Sequence, residues 1–213
     1  MSDRLRIAIT KGRLLDKSVQ LFEKAGLDCG PIKDPGRRLI HSVPNYPLDA
    51  VLAKAPDVIT YVEHGVCDLG IVGKDTILEK GGAFYEVLDL GFGKCRFALA
   101  IKEGTDFYGT YKTRRIASKY PEVTRAFFEQ KGMDVDIIKI EGSVELAPIL
   151  NLTDAIVDIV ETGATLKANG LVPIETVAVV SARLIVNTAS MKLYQNQITD
   201  FIATCEAELG GAK

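Results

Sequence analysis

The stretch DAIVDIVETGATL, Asp154 to Leu166, sets two acidic residues on an apolar run and follows it at once with a turn of small residues. Ala155, Ile156 and Val157 between the two aspartates, continued by Ile159 and Val160, read as a strand. Thr162, Gly163, Ala164 and Thr165 then open a short helix over Leu166 to Asn169, ended by Gly170. Backbone N–H groups at a helix start are outside the helical ladder and favour an anion, so Thr162 to Thr165 suit a phosphate. The carboxylates of Asp154 and Asp158 then suit ribose hydroxyls or a magnesium-bound ligand. The same residues also fit a buried parallel strand capped by an ordinary turn.

Working outward from this stretch, the chain repeats itself. RIAITKGRLLDKSVQLFEKAGLD, from Arg6, is a β-run, a basic turn and an amphipathic helix ending at Gly26. RIASKYPEVTRAFFEQKGMD, from Arg115, has the same layout, with Phe127, Phe128 and Gly132 matching Leu21, Phe22 and Gly26. Asp68 to Gly73, leading to Thr76-Ile77 and Gly81, parallels Asp154 to Val160, leading to Thr165-Leu166 and Gly170. The later copy has extra residues where Glu161-Thr162-Gly163 sits.

Repeated strand-helix-strand units of this size predict an α/β fold of two similar lobes with parallel-rich mixed sheets. In such sheets the ligand crevice lies beyond the carboxyl ends of the strands, so the site is expected in a cleft between the lobes. The first lobe is expected to be discontinuous, residues 1–93 and 187–213, with 94–186 inserted as the second lobe. Ala98 to Ile101 carries the chain across in this reading. The β-rich run Leu171 to Val186, interrupted by Pro173, returns it, and a helix over about Ser190 to Leu209 packs on the first lobe. Leu48 to Ala53 is ambiguous between strand and helix and is read as a strand, with Pro56 starting the helix that ends at Gly65.

A chain of 213 residues accommodates either one large domain or two small lobes, and its net charge of −2 provides no global basic field for nucleic acid. No export signal is legible in MSDRLRIAIT, and no apolar run approaches the roughly 20 residues of a membrane span. A cytoplasmic location is expected, with no membrane or nucleic-acid partner. Cys29, Cys67, Cys95 and Cys205 form no C-x-x-C pair and read as free thiols, while His41 and His64 read as structural or surface residues. Neither G-x-x-x-x-G-K-[ST] nor G-x-G-x-x-G occurs.

GSVELAP, Gly142 to Pro148, followed by DAIVDIVETGATL closely resembles the signature of the ATP phosphoribosyltransferase family, the first enzymes of histidine biosynthesis. KGRL, RRLI, GVCDLGIVGKD, GKCR and RIASKYP resemble further landmarks of that family, in the same order. The resemblance implies a periplasmic-binding-protein-like architecture. It also implies a reaction in which N1 of ATP displaces pyrophosphate from phosphoribosyl pyrophosphate, with Mg2+ carried mainly by substrate.

By the same resemblance, Glu161, Thr162, Gly163, Ala164 and Thr165, with Asp154, Asp158 and Glu141, are expected to bind phosphoribosyl pyrophosphate. Lys11, Gly12, Arg13 and Arg38 are expected to meet ATP or pyrophosphate, with Arg13 and Arg38 stabilising the leaving group. Taken alone, Lys11-Gly12-Arg13 reads as a solvated basic turn, and Arg37-Arg38 as edge-strand solubilisation. Ser143 reads as a helix cap and Glu145 as a first-turn charge. Cys95-Arg96 is open to either hinge packing or ligand contact. N1 of adenine carries a lone pair and no proton, so the reaction needs no strong general base, in keeping with the scarcity of histidine.

The chain stops soon after the helix containing Tyr194 to Glu208 and so resembles the short form of the family. That resemblance implies a histidyl-tRNA-synthetase-like regulatory subunit in a hetero-octamer, together with a homodimer of this chain. Two other readings remain: a non-catalytic two-lobed small-anion binding protein, and another class of phosphoribosyltransferase.

Overall fold

Leu5, Ile7 and Ile9 alternate with Arg6, Ala8 and Thr10 in β1 (Leu5–Thr10), so a period of two residues gives the strand one bulky face and one small face. In this computed structural model, which describes residues 4–109 and 112–210, the pattern extends over two compact units. Met1 to Asp3 and the last three residues, the extreme ends of the expected first lobe, lie outside the described residues.

The first unit continues with α1 (Arg13–Lys24), α2 (Gly30–Lys33), β2 (Ile40–Ser42), β3 (Leu48–Ala53) and α3 (Ala55–Glu63). It goes on through β4 (Leu69–Gly73), α4 (Lys74–Lys80) and β5 (Phe84–Asp89). The second unit, Lys94–Val180, holds β6 (Cys95–Lys102), β7 (Arg114–Ser118), α5 (Pro121–Gln130) and β8 (Val135–Lys139). α6 (Leu146–Ile149), β9 (Ala155–Val160), α7 (Ala164–Ala168) and β10 (Leu171–Val180) complete it. The chain re-enters the first unit at Ser181 with β11 (Ala182–Asn187), α8 (Ser190–Leu193) and α9 (Gln195–Gly210).

The first sheet has the order β2-β3-β1-β4-β11-β5 and the second β10-β6-β9-β7-β8. β3, β1 and β4 are parallel, as are β8, β7 and β9, and antiparallel strands complete each sheet. The expected α/β class with parallel-rich mixed sheets is what the structure has. Apart from β2, the two sheets share one five-strand order, β3-β1-β4-β11-β5 matching β8-β7-β9-β6-β10.

Each sheet is covered on both faces. In the first, Leu5, Ile7 and Ile9 pack with Phe22, Phe201 and Cys205, while Ala8 faces Val58, Ile59 and Val62. In the second, Phe97, Leu99 and Ile101 pack with Phe128, and the intervening Ala98 and Ala100 face Ala147 and Leu166. The repeat is also visible at the helix ends. The amide of Leu27 donates to the Phe22 carbonyl and that of Met133 to the Phe128 carbonyl, at 2.9 and 3.0 Å, closing α1 and α5 in the same way.

Three expectations change. The run Leu171 to Val186 is two strands in different sheets, so the second unit ends at Val180, six residues before the expected 186. Leu184, Ile185 and Val186 are fully buried in the first unit, where β11 pairs with β4 and β5. Ser181 fixes the break: its carbonyl accepts the Lys74 amide at 2.9 Å and its hydroxyl donates to Asp89 at 2.7 Å. Ala98 to Ile101 lies inside β6, and the crossover precedes it at Gly93–Lys94. The C-terminal helix is broken at Tyr194, between α8 and α9. Pro173 sits on β10, the edge strand, where a missing N–H costs no internal ladder bond.

Candidate functional site

Parallel strands bring their carboxyl ends to one edge, and this decides which candidates meet. In the first unit the edge is formed by Thr10, Ala53 and Gly73, the last residues of β1, β3 and β4. Lys11 follows Thr10 directly, its amide donating to the Ala53 carbonyl at 2.9 Å. Gly12 has φ 88 and ψ −146, a conformation costly for any residue with a Cβ, and it lets α1 begin at Arg13 without a spacer.

β2 is antiparallel to β3, with Ile40 opposite Val51, so the segment preceding Ile40 lies toward the carboxyl end of β3. Arg38, two residues before Ile40, is therefore on the same edge as Lys11, Gly12 and Arg13. All four are exposed.

In the second unit the corresponding edge carries the ends of β7, β8 and β9. Glu141 lies two residues past β8, exposed, with a 2.8 Å ion pair to Lys139. That hydrogen bond and the lysine charge hold its carboxyl below the usual carboxylate range. Beyond β9, Glu161 and Thr162 form a bend, and Gly163 takes φ 78 and ψ 4 at the N-cap of α7. The Thr162 hydroxyl accepts from the Ala164 amide at 3.3 Å, tightening the turn, and Thr165 is exposed in the first turn of α7. The helix begins at Ala164, two residues before the expected Leu166.

Asp158 is half-buried, two residues before the end of β9 and opposite Ala98. Its Oδ1 accepts its neighbour's amide, Ile159, at 2.8 Å. Burial pushes its carboxyl up; the Ile159 N–H works against this, the negative charge of Glu145 adds to it and Lys119 subtracts. Glu145 is thus electrostatically coupled to Asp158. Sequence reasoning treated Glu145 as a first-turn charge, and the signal it lacked was the register that brings α6 onto β9. Ser143 contributes its backbone carbonyl, 3.3 Å from the Leu146 amide, and no side-chain bond caps α6, whose N-cap is Glu145. The cap reading of Ser143 is corrected.

Asp154 does not join the cradle. It precedes β9, and six residues of strand at about 3.3 Å each separate it from the turn by about 20 Å. Its Oδ2 accepts the Arg115 amide at 2.9 Å, and its Oδ1 pairs with Lys112 at 2.8 Å and Arg114 at 3.8 Å. Burial raises its carboxyl pKa, but the Arg115 N–H, Lys112 and Arg114 outweigh that and hold it below its ordinary value. The first unit repeats the device: Asp68 Oδ2 accepts the Arg6 amide at 2.8 Å, and the Asp68 amide donates to the Arg6 carbonyl, as the Asp154 amide does to the Arg115 carbonyl. Asp154 is a clamp at the start of a parallel strand pair, at the end of β9 away from the turn.

Arg96 lies opposite Val160, the residue before the turn, and donates to Thr176 Oγ1 at 2.8 Å. This puts it on the carboxyl edge of the second sheet. Cys95 is half-buried, while burial pushes Cys29 and Cys67 up to about 11 and Cys205 up to about 12.

Residues 54–207 match the HisG family, described as ATP phosphoribosyltransferase. The chain belongs to the ATP phosphoribosyltransferase family. An ATP phosphoribosyltransferase of Clostridium acetobutylicum is 60% identical over 198 residues, 93% of this chain and 92% of the relative. One from Clostridium kluyveri is 55% identical over 206 residues, 97% of this chain and 94% of the relative. Among solved structures, an ATP phosphoribosyl transferase (HisG:HisZ) complex from Thermotoga maritima matches with a TM-score of 0.82 at 32% identity, over 97% of this chain and 99% of that one. The periplasmic aliphatic sulphonate binding protein SsuA of Escherichia coli matches with a TM-score of 0.62 at 16% identity, over 98% of this chain and 73% of that one, and shares the fold alone. As an ATP phosphoribosyltransferase the chain is a pentosyl-transferring enzyme of the first step of histidine biosynthesis.

Proposed function

We propose that Glu161 to Thr165 hold the 5′-phosphate of phosphoribosyl pyrophosphate, that Asp158 and Glu141 take ribose hydroxyls, and that Arg13 and Arg38 stabilise the departing pyrophosphate. The observation that carries this reading is the turn itself: Gly163 in a left-handed conformation starts a helix immediately past a strand that bears a half-buried carboxylate. First-turn N–H groups lie outside the helical ladder, and the helix dipole adds to their pull on an anion.

The adenine N1 lone pair attacks the anomeric carbon while the bond from that carbon to the pyrophosphate oxygen breaks, and pyrophosphate leaves with the electron pair. Positive charge grows on the ribose and negative charge on the leaving group. One well-placed donor at such a group is worth about 3 kcal/mol, and a guanidinium matches phosphate oxygens in pairs. Lys11 adds a point charge beside Arg13, and Gly12 leaves its backbone open to close approach. The exocyclic amine proton departs to water or a phosphate oxygen after bond formation, so no dedicated base is required.

The divalent metal is Mg2+ and arrives bound to the diphosphate of the substrate. Among the described residues no group of three or more His, Cys, Asp or Glu is arranged to hold a metal ion. The chain works in the cytoplasm as a homodimer that joins a histidyl-tRNA-synthetase-like regulatory subunit in a hetero-octamer.

Incubation with ATP, phosphoribosyl pyrophosphate and Mg2+ tests the reaction: N1-phosphoribosyl-ATP and pyrophosphate must form in equal amounts, and a folded protein that forms neither refutes it. Titrating histidine tests the partner. Coupling between sites is typically worth about 1–3 kcal/mol. Inhibition is therefore expected only when the regulatory subunit is present, and strong inhibition of this chain alone refutes the division of labour.

A further inference from the structure

Arg96 is half-buried at the start of β6. Among the described residues its side chain makes one hydrogen bond, to the Thr176 hydroxyl at 2.8 Å, and no carboxylate stands within ion-pair distance. Other half-buried cations of the molecule have an acid beside them: Arg4 pairs with Asp49 at 2.9 Å, Arg183 with Asp89 at 3.0 Å, and Lys74 with Glu86. A guanidinium taken partly out of water and met by a neutral hydroxyl lacks the anion that would offset its lost hydration.

Register fixes what surrounds it. β6 runs antiparallel to β9 with Arg96 opposite Val160 and Ala98 opposite Asp158, so Arg96 shares one sheet face with Val160 and Asp158. Glu161 follows Val160 directly, and neighbouring strands lie about 5 Å apart, so the turn of residues 161–165 begins one strand away. On the other flank β10 pairs with β6 through a bulge: Thr176 stands opposite Ala98 and Ala178 opposite Phe97, leaving Val177 as the extra residue. Val177 and Ala178 both pack on the Phe97 side. An unbulged strand would set Val177 opposite Ala98; the bulge gives the face of Arg96 a hydroxyl instead. Val179, directly opposite Arg96, is 72% exposed, so this part of the face is open to solvent.

The turn draws its positive charge from outside itself. A phosphate monoester carries about −1.5 to −2 at neutral pH, and the charged side chain within Glu161-Thr162-Gly163-Ala164-Thr165 is an acid, Glu161. Glu141 follows β8, two strands from β9 on the flank opposite β6, so the ribose carboxylate and Arg96 stand on different sides of the turn. We propose that Arg96 binds the 5′-phosphate of phosphoribosyl pyrophosphate: Thr176 holds the guanidinium, and its remaining N–H groups meet the phosphate seated at the 161–165 turn. This rests on the reading of that turn as the phosphate site.

The test uses variants of the full chain, checked for folding by circular dichroism. A phosphate remote from the reacting carbon is gripped alike in the ground and transition states, so losing a contact to it raises KM and spares kcat. Arg96→Gln is expected to weaken binding of phosphoribosyl pyrophosphate about 10- to 100-fold, in KM and in calorimetric Kd, the range for loss of charge-assisted hydrogen bonds. Its kcat and its KM for ATP are expected to stay within about threefold of the parent. Arg96→Lys keeps a charge without paired donors and is expected to fall between the two. Unchanged Kd in folded Arg96→Gln overturns the proposal. A fall in kcat at unchanged Kd also overturns it, by putting the guanidinium on the leaving group.

The deciding measurement is Arg96→Gln in a Gly163→Val background. Two groups that grip one phosphate lose less together than the product of their separate losses, whereas independent effects multiply. A full product therefore overturns the proposal. Gly163→Val that binds phosphoribosyl pyrophosphate with near-normal Kd refutes the turn reading itself, and is distinguishable because Arg96 is intact in that protein. Should Arg96→Gln fail to fold, Arg96→Lys with and without Gly163→Val gives the same decision: a loss of affinity that shrinks in the Gly163→Val background supports the contact, and an equal loss in both, or none, overturns it.

Discussion

The two units are one scaffold used twice, and their strands align residue for residue. β1 meets β4 with Ile7 opposite Leu69 and Ile9 opposite Ile71, while β7 meets β9 with Ile116 opposite Ala155 and Ser118 opposite Val157. In this alignment Asp68 and Asp154 coincide and make the same bonds to backbone amides. The unit without the inserted Glu161-Thr162-Gly163 turn keeps this aspartate, so the fold needs it. Val72, fully buried in the first unit, coincides with Asp158 in the second. The scaffold is satisfied by valine there, so the carboxylate at 158 answers a different demand.

The second difference lies just beyond. β4 ends at Gly73 and α4 begins at Lys74, whereas Glu161, Thr162 and Gly163 separate β9 from α7. These three residues put a left-handed glycine, Gly163, at the N-cap of α7. The comparison separates residues held by the architecture from residues added to it, and mutations can break it at four points.

The largest effect belongs to the arginines of the first unit. Arg13→Ala and Arg38→Ala are each expected to lower kcat by about one to three orders of magnitude, the loss of a transition-state donor. Single-turnover rates check this; unchanged chemistry in both removes their role, and a rise in KM for ATP alone reassigns the residue to the triphosphate.

Next comes the inserted turn. Gly163→Val is expected to weaken phosphoribosyl pyrophosphate binding by about 10- to 100-fold in a folded protein. Strain is the cause rather than collision. The nearest atom to an added Cβ is Val160 Cγ1 at 3.8 Å, whereas a side chain at φ 78 costs roughly 1–2 kcal/mol and turns the amides away. Calorimetry showing near-normal affinity would take this segment out of the site.

The paired aspartates give a smaller and more pointed contrast. Asp154→Ala is expected to cost about 1–3 kcal/mol of stability by leaving the Arg115 amide without its acceptor, with KM for phosphoribosyl pyrophosphate unchanged, and Asp68→Ala should behave alike. Asp158→Asn is expected to raise that KM without loss of stability. Urea melts beside steady-state kinetics distinguish them, and the pattern in reverse would restore Asp154 to the site.

The smallest effect is the pH dependence of stability. The Asp154 carboxyl is held below its ordinary 3.8, so its stabilisation is present above that value and is lost as pH falls through the lower folded value. Asp158 is shifted the other way: ionising it costs stability above its raised folded value, and the cost disappears below 3.8. Asp154→Asn should therefore flatten the acid limb of the melting profile, and Asp158→Asn should raise Tm slightly at neutral pH. Identical acid limbs in Asp154→Asn and the parent protein would contradict the clamp.

Much of this was legible without coordinates. A period of two in LRIAIT and of 3.6 in RLLDKSVQLFEK specifies strand and helix because side-chain direction follows backbone geometry, and the repeat makes the two-unit architecture readable. Lys11, Gly12 and Arg13 were legible as an edge turn because they follow the first strand directly. Sequence could not separate the places of Asp154 and Asp158, because both flank the same apolar residues. A strand has two ends, and sequence proximity says nothing about which end faces a ligand.

The sequence by itself determined the elements, the repeat and the family, since each is written in local periodicity and turn chemistry along the chain. Tertiary structure alone decided what depends on partners far along the chain. It gave Leu184 and Val186 to the first sheet through pairing with β4, set Glu145 to act on Asp158 and turned Asp154 into a clamp. The reason is physical: local pattern fixes which way a side chain points from its own strand or helix, whereas register and packing choose what it meets there.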